Sequence, residues 1–250
     1  MDHPADVAPG RVGLPASITA CLFDLDGVLT QTAALHKAAW KATFDPILAE
    51  AGQGPFTDQD YLRHVDGRRR ADGVRGFLGS RGLDVPEGEP DDPPEQHTVY
   101  GIGNRKNERL LRELDEHGVE VYDGSVAFVR AVREAGLSIA VVTASANAES
   151  VLEAAGLADL VETRVDGVVA ARDGLRGKPA PDTFLAAAKA LGVEPVAAAV
   201  FEDALSGVEA GRAGEFGYVV GVDRADQGDE LRRHGADIVV TDLLQLLEDR

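Results

Sequence analysis

The chain has 250 residues, 44% of them hydrophobic, which is enough for one large domain or two small ones with a proper core. Its formal net charge of −18 argues against nucleic acid as a partner, because a phosphate backbone needs a basic surface. No apolar run approaches the ~20 residues of a membrane span, and the first residues lack the pattern of a signal peptide. We therefore expect a cytoplasmic protein that does not bind membranes.

The first half of the chain predicts one strand followed by helices. Residues 1–17 contain many prolines and glycines and predict a loose N-terminal tail. The apolar run 18–23 predicts a buried strand, and residues 32–51 predict a helix. A polar, helix-prone stretch continues to about residue 117. Within it, residues 88–95 are too acidic and proline-rich for a core, and they predict a loop or a mobile insert.

From residue 119 onward the pattern alternates between strands and helices. The predicted strands cover residues 138–143, 197–202, 218–222 and 237–241, and the predicted helices cover 126–134, 148–155, 182–191 and 206–213. Such alternation indicates βαβ units and a parallel sheet. The sequence thus predicts an α/β protein with a Rossmann-like parallel-sheet core domain (18–32 and 119–250) and an inserted all-helical cap domain (33–118).

Two aspartates come directly after the first predicted strand, in the sequence Asp-Leu-Asp-Gly. Asp24 and Asp26 lie where parallel sheets place their ligands, at the carboxyl end of a strand. Such a pair can hold a hard cation and attack an electrophile. Aspartate and glycine are also ordinary turn residues, so this motif gains weight only if residues later in the chain match it.

Three later features stand at the ends of predicted strands or in loops beside them. Thr143 ends its strand, Lys178 stands between glycine and proline in a loop, and Glu202 and Asp203 end another strand. Each has a plain alternative, because threonine or an acid can cap a helix and a lysine is usually a surface residue. Their joint occurrence, in this order, favours one shared active site.

The residue types suit phosphoryl transfer. Asp24, Glu202 and Asp203, with the carbonyl oxygen of Asp26, form an oxygen-only ligand set that suits Mg²⁺ beside a phosphate. Asp24 can act as a carboxylate nucleophile that forms an aspartyl-phosphate, and Asp26 can serve as general acid and base.

Two more side chains complete this prediction. Thr143 and Lys178 can hold the phosphoryl oxygens and offset the charge that develops during transfer. The single cysteine lies in a predicted strand, so the sequence indicates magnesium rather than zinc.

The four motifs together resemble those of the haloacid dehalogenase-like superfamily of phosphotransferases. The matching segments are Asp24-Leu25-Asp26-Gly27, Thr143, Lys178-Pro179 and Glu202-Asp203. The resemblance implies a phosphorylated motif aspartate and a helical cap that closes the site. Segments 24–40, 105–107, 144–147 and 178–182 further resemble the beta-phosphoglucomutase-like subfamily. That resemblance implies a Mg²⁺-dependent enzyme that interconverts beta-glucose 1-phosphate and glucose 6-phosphate through a bisphosphate.

The same resemblance implies roles for residues near the predicted cap. Thr32 would lie at a cap hinge, His36 would orient Asp26, and Arg70 and Lys106 would contact phosphate and sugar. The remaining substrate residues implied are Trp40, Gly67, Ser145, Ala146 and Asn147. Ala146 is a departure, because the subfamily often has a basic residue there that binds the distal phosphate.

Reasoning from the residues alone agrees in part. Thr32, His36 and Trp40 recur every four residues and so share one helix face. For Trp40 the alternative is a core stripe, and for His36 it is a solvated position. The run 68–70 of three arginines is the densest basic run in this acidic chain. A solvated face would explain it, but arginine binds phosphate bidentately, which favours a phosphate clamp.

Two other functions compete with the mutase. A phosphatase of small sugar phosphates needs the same four motifs but does not need to bind a second phosphate. The cap residues therefore distinguish a phosphatase from a mutase. A non-catalytic metal- or phosphate-binding protein has no need of the second aspartate, Asp26. We expect a monomer whose partner is a small sugar phosphate.

Overall fold

Six parallel strands form the sheet at the centre of the protein, of which the computed structural model describes residues 12–248. In chain order they are β1 (Ala20–Phe23), β2 (Ser138–Val142), β3 (Thr163–Val165), β4 (Ala198–Glu202), β5 (Tyr218–Val222) and β6 (Ile238–Val240). Their order across the sheet is β3-β2-β1-β4-β5-β6. The order reverses between β1 and β4, and ligands of such sheets bind at the carboxyl ends of the strands at that point.

Four helices follow β1 and pack around a core of their own. They are α1 (Ala33–Glu50), α2 (Asp58–Asp60), α3 (Arg70–Ser80) and α4 (Val99–His117), with a π-helical turn (Tyr61–Val65) directly after α2. Phe44 is central to this core, because its ring centroid lies 4.4 Å from the ring centroid of Phe77 and 4.9 Å from that of Trp40. We call this helical body the cap.

The remaining helices cover both faces of the sheet. They are α5 (Asp123–Glu134), α6 (Ala148–Ala154), α7 (Gly167–Arg172), α8 (Asp182–Leu191), α9 (Leu205–Ala213), α10 (Gly228–His234) and α11 (Gln245–Glu248). On one face Phe23 stacks on Phe201 at 4.4 Å, and Phe128 of α5 packs against both. On the other face Leu22 packs in a cluster with Phe184 of α8. Every residue of β1 is buried, as a central parallel strand requires.

The predicted α/β class is confirmed, with local differences. β3 was not expected, because it has only three residues, of which Val165 alone is fully buried. The helix α10 was not expected either, because its sequence is mostly polar. The first strand begins at Ala20 rather than at residue 18.

The predicted N-terminal tail and the predicted acidic insert are both more ordered than expected where the structure describes them. Residues 1–11 of the predicted tail lie outside the described residues, but Val12 and Leu14 are buried in the main core. The acidic segment 88–95 is a loop held to α4, not a free insert. The Asn104 amide donates to the carbonyl of Pro90 at 3.1 Å, and the Arg105 guanidinium donates to that of Pro94 at 2.7 Å.

Candidate active site

Asp24 is the first residue after β1, and its carboxylate is buried at the carboxyl end of the sheet. Its backbone N–H donates to the carbonyl of Phe201 in β4 at 2.9 Å, which extends the pairing of the two strands. Lys178 Nζ lies 2.5 Å from Asp24 Oδ1 and donates to the carbonyl of Val142 at 3.1 Å. Gly27 turns the chain beyond Asp24 with φ +88°, and a Cβ there would overlap the carboxylate of Asp203. Only glycine therefore allows this approach.

Three buried carboxylates converge at this point. One ligand oxygen each from Asp24, Glu202 and Asp203 lies within 4.8 Å of the others. Lys178 Nζ forms ion pairs with Asp24 and Glu202. Three carboxyl groups therefore face one ammonium group, so once all three are ionised two negative charges remain for a divalent cation to balance. The donor set contains only oxygen, as hard cations prefer.

The charge states at this cluster reflect burial. Burial raises the pKa of Asp24 and of Asp203 well above the usual range, and neighbouring carboxylates add to the effect. Burial alone would lower the pKa of Lys178, but the charges of Asp24 and Glu202 outweigh it and raise that pKa. Lys178 is therefore a permanent cation beside Asp24.

The carboxylate of Asp26 is held by hydroxyl groups. The Thr32 hydroxyl donates to Asp26 Oδ1, and Thr143 Oγ1 donates to Asp26 Oδ2 at 3.3 Å. Thr32 in turn lies 2.7 Å from the hydroxyl of Thr30. His36 Nε2 approaches Asp26 Oδ1 at 3.4 Å. This carboxylate therefore has a defined orientation, as a general acid and base requires.

A lysine of the cap stands behind His36. Lys106 Nζ of α4 lies 3.1 Å from His36 Nδ1 and 5.2 Å from the centroid of the Trp40 ring. Burial and the charge of Lys106 lower the pKa of His36 to about 4, so the imidazole is neutral at pH 7. Burial lowers the pKa of Lys106 to about 7. Trp40 belongs to the cap core, as the alternative interpretation held, and its ring also lines the cavity.

Replacing Lys106 by methionine is expected to stabilise the fold by about 1–4 kcal/mol, because a buried cation is exchanged for an apolar side chain of similar length. The native lysine titrates near pH 7 and the unfolded one near 10.5, so between these values the unfolded chain holds the extra proton. Wild-type stability therefore rises with pH across this window. The advantage of Lys106→Met should be largest below pH 7 and shrink towards pH 10, as measured by urea unfolding. An equal advantage at both pH values would contradict the buried charge.

A cavity of about 450 Å³ lies between the cap and the carboxyl ends of the strands. Of the predicted catalytic residues, Asp24, Asp26 and Thr143 line it, and Lys178 lies behind Asp24. All the predicted substrate residues line it except Thr32, which contacts Asp26 instead; they are His36, Trp40, Gly67, Arg70, Lys106, Ser145, Ala146 and Asn147.

The cap wall of the cavity is basic. Arg70 is the first residue of α3, and its stem packs against Gly103 of α4, where an added Cβ would lie 3.7 Å from the Arg70 Cγ. Burial lowers the pKa of Arg70, and no carboxylate among residues 12–248 offsets this effect. Arg70 is thus an uncompensated cation that faces the cavity. Arg69 also lines the cavity, but its guanidinium donates to the backbone carbonyl of Leu175 in the core domain.

The structure adds residues to the site that sequence reasoning missed. Asp66 lines the cavity, and burial raises its pKa to about 7. Its carbonyl accepts a hydrogen bond from Ser206 at 2.9 Å, which joins the cap to α9. Asn147 donates to Asn107 Oδ1 of the cap at 3.0 Å. Only the position of Asp66 beside Gly67 could have drawn attention to it from the sequence.

The model of the haloacid dehalogenase-like hydrolases matches residues 18–214 of this chain. The chain belongs to this family and is an enzyme of its phosphotransferase or phosphatase type. Membership implies a divalent metal, which the acidic cluster fits. Among residues 12–248, no helix combines the length and apolarity needed to cross a membrane.

Several of the proteins that are similar to this chain are beta-phosphoglucomutases. The beta-phosphoglucomutase of Mycobacterium bovis is 56% identical over 246 residues, which cover 94% of each chain. That of Bacillus subtilis is 32% identical, with 88% of each chain covered. The crystal structure of beta-phosphoglucomutase from Clostridium difficile has a TM-score of 0.74 and 26% identity, covering 92% of this chain and 93% of that one. The resemblance seen in the sequence motifs is thereby confirmed.

Proposed function

We propose that this protein is a Mg²⁺-dependent beta-phosphoglucomutase, which interconverts beta-glucose 1-phosphate and glucose 6-phosphate through a bisphosphate intermediate. One observation carries the proposal. A single cavity joins the Asp24 cluster on the core side to the uncompensated Arg70 on the cap side. Such a cavity offers one place for the reacting phosphate and a second for the phosphate at the far end of the sugar. All these residues come from one chain, so a monomer suffices.

Magnesium is the cation that the cluster fits best. Asp24, Glu202 and Asp203 would hold it, with the carbonyl of Asp26 as a further oxygen ligand. Bound there, the metal supplies positive charge beside the phosphoryl oxygens.

The chain's own residues then divide the chemistry. The cycle starts with Asp24 already phosphorylated by the bisphosphate. The 6-hydroxyl of beta-glucose 1-phosphate attacks the aspartyl-phosphate, the bond from phosphorus to Asp24 breaks, and the hydroxyl proton passes to Asp26, which yields the bisphosphate. After the bisphosphate has turned over in the cavity, a carboxylate oxygen of Asp24 attacks its 1-phosphate and Asp26 returns the proton to the departing sugar oxygen, which releases glucose 6-phosphate and leaves Asp24 phosphorylated. Lys178 holds Asp24 and offsets developing charge, and Thr143, whose hydroxyl donates to Asp26, would also hold a phosphoryl oxygen.

The phosphorus NMR spectrum is the direct test of this proposal. The protein is incubated with beta-glucose 1-phosphate, Mg²⁺ and a trace of the bisphosphate that loads Asp24. We expect the substrate signal to be replaced by that of glucose 6-phosphate. Release of inorganic phosphate without glucose 6-phosphate would replace the mutase with a phosphatase.

A phosphatase of small sugar phosphates is the second candidate, and one observation favours it. Ala146 lines the cavity with a methyl group where the subfamily often has a basic side chain. Without a basic group at position 146, a second phosphate depends more on the cap side, where Arg70 is a cation that no carboxylate offsets among residues 12–248. The effect of removing Arg70 on catalysis therefore distinguishes the mutase from the phosphatase.

Replacing Arg70 by alanine is expected to lower mutase flux about ten- to a hundredfold, because a buried charge-assisted contact contributes roughly 1.5–3 kcal/mol. Hydrolysis of acetyl phosphate, which has no second phosphate, should change far less. Both rates are measured on the same preparation.

The matched control is Arg81→Ala. Arg81 is also a cap arginine, but it pairs with Asp60 at 2.6 Å outside the cavity. This variant should keep both activities. An equal fall of the two activities in Arg70→Ala would mean that Arg70 is structural or acts at the reacting phosphate.

A further inference from the structure

Arg69 joins the cap to the core domain. It lies one residue before α3, and its Nε forms an ion pair with Asp72 Oδ2 at 2.6 Å within the cap. Its Nη1 donates to the backbone carbonyl of Leu175 at 3.0 Å. Leu175 belongs to the core loop between α7 and α8, three residues before Lys178. One arginine therefore reaches from the cap to the loop that carries the active-site lysine.

The same loop packs directly on the Arg69 side chain. A Cβ built on Gly177 would lie 2.9 Å from both Cγ and Nε of Arg69, closer than real Cβ contacts. Any side chain at position 177 would therefore push Arg69 away. Because Gly177 has no side chain, the backbone beside Lys178 can lie against the aliphatic part of the Arg69 side chain.

Lys178 needs an accurate position. Its Nζ is buried and contacts Asp24, Glu202 and the carbonyl of Val142. A shift of the loop by a few tenths of an ångström would change all three contacts at once. Arg69 contacts this loop from the cap, and it can do so only while the cap lies against the core.

We propose that Arg69 is a positioning residue that couples closure of the cap to the placement of Lys178. Because Arg69 belongs to the cap, opening the cap breaks its bond to Leu175 and leaves the lysine loop less restrained. Phosphoryl transfer then runs at full rate only in the closed enzyme, from which water is excluded. The activity part of this inference rests on the proposed function, and the structural part does not.

Two other contacts between cap and core help to isolate this role. Ser206 donates to the carbonyl of Asp66, and Asn147 donates to Asn107. Neither touches the loop of Lys178. Loss of Arg69 should therefore loosen this loop specifically while these two contacts still hold the cap.

Hydrogen exchange of the whole protein tests the structural part. In Arg69→Ala we expect the amides of residues 175–178 and 180 to exchange about three- to tenfold faster, the range that corresponds to one charge-assisted bond at a partly exposed site. The control is Arg75→Ala, which pairs with the same Asp72 at 2.5 Å but makes no hydrogen bond to the core domain among residues 12–248. It should leave this exchange unchanged. Unchanged exchange in Arg69→Ala would overturn the proposal, whatever reaction the enzyme catalyses.

The kinetic test uses a second variant that displaces Arg69 without removing its charge. Gly177→Ala should lower kcat about three- to tenfold with KM nearly constant, as should Arg69→Ala. The double variant should be no slower than either single one, because both remove the same contact. Full additivity, or an effect confined to KM, would show that Arg69 does not act through this loop.

Discussion

Replacing Asp24 by asparagine is expected to lower turnover by at least about a thousandfold while leaving the fold intact. The amide has nearly the same shape as the carboxylate but cannot attack phosphorus. Burial already raises the pKa of Asp24 well above its usual range, so the neutral side chain relieves a desolvation cost. Lys178 keeps its contacts with Glu202 and the carbonyl of Val142. Turnover is measured with beta-glucose 1-phosphate, and folding by circular dichroism.

Mass spectrometry adds a direct readout of the covalent step. Wild-type protein quenched during turnover should carry the mass of one phosphoryl group, and Asp24→Asn should not. Asp166→Asn is the matched control, because Asp166 is also a buried aspartate but caps α7, accepting hydrogen bonds from Val168 and Val169. That variant should remain active. Normal turnover in Asp24→Asn would remove the aspartyl-phosphate from the mechanism.

Removing the divalent metal is expected to silence the enzyme, and adding Mg²⁺ should restore it. Without a cation, three buried carboxylates face one ammonium group, and the phosphate would bring further negative charge to the same place. The control is EDTA that has been saturated with Mg²⁺ beforehand, which should leave the rate unchanged. Activity that persists after exhaustive chelation would count against Glu202 and Asp203 as ligands.

The same cluster makes metal binding depend on pH. Burial raises the pKa of Asp24 and Asp203, so these groups hold protons more readily than free carboxyls and must release them when a cation binds. Affinity for Mg²⁺ should therefore weaken as the pH falls from 8 to 6. Calorimetric titration at the two pH values measures it. Equal affinity would mean that the carboxylates are already ionised without metal.

Sequence reasoning predicted the fold and the residues that surround Asp24, and both have one physical cause. Parallel strands all end at the same edge of a sheet, so Asp24, Thr143 and Glu202 meet there although more than a hundred residues separate the first from the others. The alternation of strands and helices was equally visible, because buried strands need continuous apolar runs. Short or polar elements such as β3 and α10 carried too little of this pattern to be seen.

The three arginines show what only the tertiary structure decided. In the sequence, residues 68–70 form one basic run, with nothing to tell its members apart. In the folded protein all three line the cavity between cap and core, but the Arg69 side chain is held by Asp72 and the carbonyl of Leu175, whereas Arg70 has no carboxylate that offsets its burial among residues 12–248. A loop has no repeat that assigns side chains to a face, so their directions depend on partners that are distant in the chain. The periodicity of the sequence located the strands and therefore the residues at their ends. The contacts of the cap arginines depend on how the cap packs on the core, which no local sequence pattern specifies.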